Sequence, residues 1–132
     1  PREYIYAARD RIGHVSDRQR AARDKRFKYI RNYNQQAGGF HLGYRDNLDI
    51  MQELWRMLAA GELNAVQRQW FSPRPAEMLF DTQNDPHEIN NLAENPDYFD
   101  ELQRLREAYK AHSSRVPDLS DKSEAYMAER FW

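Results

Sequence analysis

Two groups of side chains in this 132-residue sequence have the types and spacing for chemistry. The first lies near the start: Arg9, Arg11, His14, Arg18 and Arg20, with Asp10 and Asp17 among them. A guanidinium donates parallel bonds to sulfate, phosphate or carboxylate, and an imidazole donates to an anionic oxygen. Such a set suits the rim of a pocket holding an acidic substrate, with His14 and Arg20 the first choices and Arg9 and Arg11 behind them. The plainer reading is a solvated loop in which the aspartates neutralise their neighbours, because exposed ion pairs contribute only about 0–1 kcal/mol. The second group is Asp81, Asp85, Glu88 and Asn90, the oxygen-bearing types that hard cations take. Their spacing lacks the midpoint Gly and terminal Glu of a calcium loop. Asp85 before Pro86 starts a turn instead, with Glu88 and Asn91 tying the loop into the helix that Asn95 caps.

Other chemistries find little to work with. The chain has no Cys, so thiols, disulfides and Cys-based metal sites are excluded. His14, His41, His87 and His112 are too scattered to suggest a metal set by spacing. No catalytic residue and no metal ligand is assigned. Net charge is −1, yet from Arg9 to Arg31 nine basic residues face three acids, so the remainder is acidic. Arg23, Lys25, Arg26 and Lys28 are the densest positive patch. With Tyr29 and Tyr33 for stacking it could hold a polyanion. On a hairpin the same charges protect a strand edge. No apolar run approaches a membrane span.

The length suits one domain or subdomain. Tyr4 to Ala8 reads as a strand, Arg9 to Asp17 as a loop, and Gln19 to Asn32 as a hairpin turning at Asp24-Lys25-Arg26. Phe27, Tyr29 and Arg31 share one face of its second strand. Asn34 to Tyr44, with three Gly, reads as a loop. Leu48, Met51, Trp55 and Leu58 predict a helix over 48–60 that Gly61 ends. Leu63, Val66 and Trp70 suggest a shorter one, stopped by Pro73 and Pro75. Glu77 to Asp81 is a strand. Asn95, Pro96 and Asp97 open a last helix to about His112, with Tyr98, Leu102, Leu105 and Tyr109 as its stripe. Residues 116–132 form a polar tail that wraps a neighbouring surface or frays. Strands and helices in segregated order give an α+β fold: a small antiparallel sheet against a C-terminal helix, with a helical insertion over about 48–71.

The stretch Leu79-Phe80-Asp81, then Asp85-Pro86-His87-Glu88, then Asn91-Leu92 resembles the C-terminal subdomain of sulfatases. There Leu-(Tyr/Phe)-Asp, Asp-Pro-x-Glu and Asn-Leu recur at this spacing. Ala22 to Asn32 looks like the family's hairpin Val-Arg-(Thr/Asp)-x-Arg-(Tyr/Phe)-Lys-(Tyr/Leu)-Ile-x-Asn. Arg74 to Asp81 is similar to its Arg-Pro-Ala-Glu-Glu-Leu-Tyr-Asp. Leu102, Leu105 and Arg106 fit the Leu-x-x-Leu-Arg that comes after Asn-Leu in the family. The loop after Asn32 and the helix before Arg74 look most like the heparan N-sulfatase (sulfamidase-like) branch.

The resemblance implies a larger enzyme of the alkaline-phosphatase superfamily, periplasmic or secreted, that cleaves sulfate esters or sulfamates of saccharides such as glycosaminoglycans. It implies Ca2+ and a formylglycine in a catalytic domain, and this sequence has neither the formylglycine motif nor a matching acid cluster. The whole of 1–132 would then be the C-terminal subdomain, with 1–18 returning from the catalytic domain and 116–132 as tail. Its partners would be that domain and the sulfated saccharide, with a homo-oligomer compatible and neither nucleic acid nor membrane involved. By itself the chain would be inactive. Two other readings stand beside this one: a polyanion-binding module using residues 9–31, and the tail of a related phosphodiesterase or phosphonate hydrolase.

Overall fold

The computed structural model describes residues 2–12, 15–35, 45–116, 118–120 and 122–131, with the backbone alone at 12, 15, 124 and 131. Four strands form one antiparallel sheet in sequence order: β1 (Ile5–Ile12), β2 (Val15–Arg23), β3 (Phe27–Asn32) and β4 (Glu77–Asp81). Helices α1 (Asp49–Ala60) and α2 (Ala65–Gln69) lie between β3 and β4, as the apolar spacing predicts. A 3-10 turn (Pro96–Tyr98) leads into α3 (Phe99–Ser113), and α4 (Glu124–Phe131) closes the chain. This is the α+β fold expected: a small antiparallel sheet with a helix against it.

Alternation decides which face of the sheet is covered. Tyr29 stands opposite Ala22 on β2 and Leu79 on β4, and all three are buried. With Phe27 they meet Leu102 and Leu105 of α3 in one core, flanked by half-buried Tyr4, Tyr6, Tyr98 and Tyr109. Burying side chains of this size contributes about 1.5–3 kcal/mol each. Asn95 opens the turn before α3 by accepting the Asp97 N–H at 3.0 Å. Gly61 ends α1 in the left-handed region (φ 73°), where its N–H reaches the Leu58 carbonyl at 3.1 Å. The helical insertion has its own small contacts: Met51 and Leu63 are buried, and Trp55 meets Phe71 edge-on at 4.8 Å. Trp70 is exposed, and Trp132 lies outside the described residues.

Two expectations are corrected. The predicted loop over Arg9–Asp17 is mostly strand: β1 runs to Ile12 and β2 starts at Val15. Charged residues are accommodated because Arg9 and Asp17 pair with each other, and a register shift between Arg9 and Arg11 bends the strand. The polar tail also holds a helix, α4, where Glu124-Ala-Tyr-Met-Ala-Glu supplies good helix formers. Most of the predicted loop over 34–44 lies outside the described residues.

Candidate functional site

The arginines of the early segment gather at one end of the sheet, where β1, β2, the segment before β4 and the tail meet. Asp17 on β2 is buried, and two guanidinium groups reach it, from Arg9 on β1 and from Arg74. Arg20, also on β2 and 8% exposed, grips the tail: its Nε and Nη2 donate to the two Asp118 carboxylate oxygens at 3.0 and 2.9 Å, and Nη2 donates to Ser120 Oγ at 2.7 Å. Asp10 pairs with the same guanidinium at 2.8 Å. Against the desolvation that would lower it, these carboxylates hold the Arg20 pKa above its ordinary value. The Arg20 hydrogen bond, ahead of the desolvation that opposes it, carries Asp118 well below the usual carboxylate range. Arg18 reaches Asp118 at 3.3 Å and lies over the Tyr33 ring at 4.2 Å.

Beside this corner opens a cleft of about 730 Å³, whose walls include Tyr6, Arg11, Arg18, His112, Asp118 and Lys122. Tyr6 and His112 stack flat in it, 3.8 Å apart and 3° from parallel. The volume falls within the usual range for small-molecule clefts. Mixed cations, acids and an aromatic pair suit a polar, anionic ligand.

The predicted rim residues divide accordingly. Arg9 is committed to Asp17, and Arg20 to the tail and Asp10. Arg11 is exposed on β1 and lines the cleft. His14 lies outside the described residues. Sequence reasoning missed Asp118, Ser120 and His112, which reach the site only through the fold. Arg74 was legible as part of Arg-Pro-Ala-Glu, but its partner Asp17, 57 positions away, was not.

The oxygen-rich turn proves structural. Asp81 accepts from Arg26 Nη2 at 2.6 Å, and Asp85 from the Asn90 N–H at 2.7 Å. Glu88 pairs with Lys28 at 2.6 Å. Glu88 itself has φ 55°, in the left-handed region that few non-Gly residues adopt. Among the described residues no three His, Asp or Glu side chains converge to hold a cation. The residues present here therefore do not fit the Ca2+ site the resemblance implies, and no step is derived through it. In the basic patch Arg26 and Lys28 are paired as above and Arg23 donates to Thr82 Oγ1 at 3.1 Å, while Arg23, Lys25 and Arg26 stay exposed.

The remaining motif residues hold the sheet to α3. Glu77 accepts the Tyr29 hydroxyl at 2.7 Å and the Arg106 Nε and Nη2 at 2.9 and 2.7 Å. Burial first, and then the Glu77 bond, push the Tyr29 phenol far above its ordinary pKa. Although desolvation works against it, Arg106 and Tyr29 together keep the Glu77 carboxyl low.

No family model matches the chain. An Ulvan-active sulfatase of Formosa agariphila is 43% identical over 133 residues, covering 99% of this chain and 22% of that protein. Over nearly its whole length the chain is therefore similar to one segment of that sulfatase. A second Ulvan-active sulfatase of the same organism is 34% identical over 99 residues, 72% of this chain and 18% of that protein. The chain thus spans about a fifth of the length of the relatives it matches. A Bacteroides thetaiotaomicron crystal structure assigned to the sulfatases shares the fold, with a TM-score of 0.51 and 19% identity over 86% of this chain and 16% of that one.

Proposed function

We propose that the chain is the C-terminal subdomain of a polysaccharide sulfatase, and that its arginine corner and cleft form part of the substrate rim. The observation that carries the reading is the 43% identity, over nearly the whole chain, to a relative named as an Ulvan-active sulfatase. The sheet, α3 and the Glu77 hub then serve as the support. The cleft supplies cations and hydroxyls at saccharide scale. Ca2+ and a formylglycine are assigned to the rest of the parent protein, where they would supply the attack on sulfur.

The substrate is proposed to be a sulfate ester of ulvan, following the names of both relatives. The alternative is a sulfamate of a glycosaminoglycan, favoured by the motif likeness to the sulfamidase branch. Desulfation assays of the full-length protein on ulvan oligosaccharides and on N-sulfated heparan fragments decide between them. Sulfate released from ulvan alone supports the first, and release from the N-sulfated fragments alone replaces it with the second. Release from neither, with a phosphodiester cleaved instead, overturns the sulfatase reading. For the rim, Arg11→Ala and His14→Ala in the full-length enzyme should raise KM more than they lower kcat. Unchanged kinetics in both would remove the corner from substrate contact.

A further inference from the structure

The two outer strands of the sheet treat their free backbone groups differently. On the β4 side, Asn32 N–H donates to the Ala76 carbonyl and Thr82 N–H to the Arg26 carbonyl, which fixes the phase of the ladder. Glu77, Leu79 and Asp81 must therefore turn their backbone groups outward. The chain then covers them. Leu79 N–H donates to Asn91 Oδ1 at 2.9 Å, and its carbonyl accepts the Leu92 N–H at 2.8 Å. The Glu77 carbonyl accepts from Asn91 Nδ2 at 3.4 Å, and the Asp81 carbonyl from the Asn84 and Asp85 N–H groups at 3.1 and 2.7 Å.

Among the described residues the β1 side lacks such a cover. Asp24 N–H donates to the Phe27 carbonyl and Tyr33 N–H to the Arg18 carbonyl, so the even-numbered residues of β2 address β3. Its odd-numbered residues address β1, where Ile5, Ala7 and Arg9 oppose Arg23, Ala21 and Gln19. Tyr6 and Ala8 are left with N–H and C=O pointing away from the sheet. Among the described residues, no group bonds to either of them on that side. The devices that guard an edge, charge and a bulge, begin only at Arg9. Ahead of them, Tyr4-Ile-Tyr-Ala-Ala carries no charge, and Ile5 is 55% exposed.

We propose that the Tyr6–Ala8 edge of β1 receives an extended segment from the rest of the parent protein, which adds a fifth strand to the sheet. Strand addition draws its strength from main-chain bonds and needs an open edge of this kind. The occupant is assigned to the parent because more than three-quarters of the 43%-identical relative lies outside the match. The inference rests on the chain being part of a longer protein and is independent of which sulfate that protein removes.

Hydrogen exchange on the full-length protein, read at single-residue resolution, tests it. The amides of Tyr6 and Ala8 should be protected to within about tenfold of the Ala7 amide, which bonds within the sheet, and the protection should persist on dilution. Exchange of Tyr6 and Ala8 at the rate of open amides, with Ala7 still protected, overturns the proposal. Protection that disappears on dilution, together with a dimer-to-monomer change in sedimentation, assigns the edge to a second copy and also overturns it. As a second measurement, Ala8→Pro should lower Tm as much as Ala7→Pro does. A neutral Ala8→Pro is the behaviour of an open edge and counts against the proposal.

Discussion

The β4 side and the β1–β2 end of this sheet are closed by opposite means. The outer backbone edge of β4 is covered by partners near in sequence: Asn91 lies 12 positions from the Leu79 amide it seals and 14 from the Glu77 carbonyl. At the other end the partners come from afar, Arg74 at 57 positions from Asp17 and Asp118 at 98 from Arg20. The satisfaction also differs. The Glu77 hub engages Arg106 through both Nε and Nη2. The Nε atoms of Arg9, Arg18 and Arg74 are buried with no acceptor among the described residues. Local main-chain and amide bonds make a rigid support. Long-range charge clamps make a corner whose geometry depends on the whole fold, and that corner borders the cleft.

The contrast is most exposed at Asp17. Asp17→Ala leaves two arginines without their shared carboxylate and should destabilise the full-length protein by about 3–5 kcal/mol in urea titrations. A loss under 1 kcal/mol would mean that water, not Asp17, satisfies the corner. Next comes Asn91→Ala, which orphans the Leu79 amide and should cost about 1–3 kcal/mol. A neutral result would show that the β4 edge does not depend on this side chain. Acid probes the same side. Arg26 first, and then Asn84 against desolvation, hold Asp81 down to about 2. Its folded pKa is depressed, so its contribution is complete above the ordinary carboxylate pKa and is lost as pH falls from about 4 towards 2. The stability of Asp81→Asn should accordingly fall less over that window than that of the wild type.

The smallest effect on stability is expected at Asp118, which is partly exposed. Asp118→Asn should cost about 1 kcal/mol or less. It should nonetheless speed tryptic cleavage after Lys122, since Arg20 would lose its hold on the tail. Equal cleavage rates in variant and wild type would show that the tail is anchored by something other than Arg20.

The support was legible in the sequence because its signals are local. Phe27 and Tyr29 alternate, Leu102 and Leu105 repeat at helical spacing, and Asn95-Pro96-Asp97 announces a helix start. The strands over 9–17 were not legible, because their charges read as a loop until Asp17 is seen between Arg9 and Arg74. The turn at Asp85-Pro86 was legible from its residue types, though nothing in its spacing revealed that Glu88 would meet Lys28 across 60 positions. Arg20 stood out as a fork for an anion. Its carboxylate partner turned out to belong to the chain's own tail.

What the sequence determined by itself was most of the elements between Gln19 and His112 and the likeness to sulfatases, since periodicity, caps and short motifs act over a few residues. Only the tertiary structure decided which arginine meets which carboxylate, that Tyr6 stacks on His112, and that the β4 edge is sealed while the β1 edge has no cover among the described residues. Those pairings depend on where strands and tail cross in space, and no local preference encodes that position.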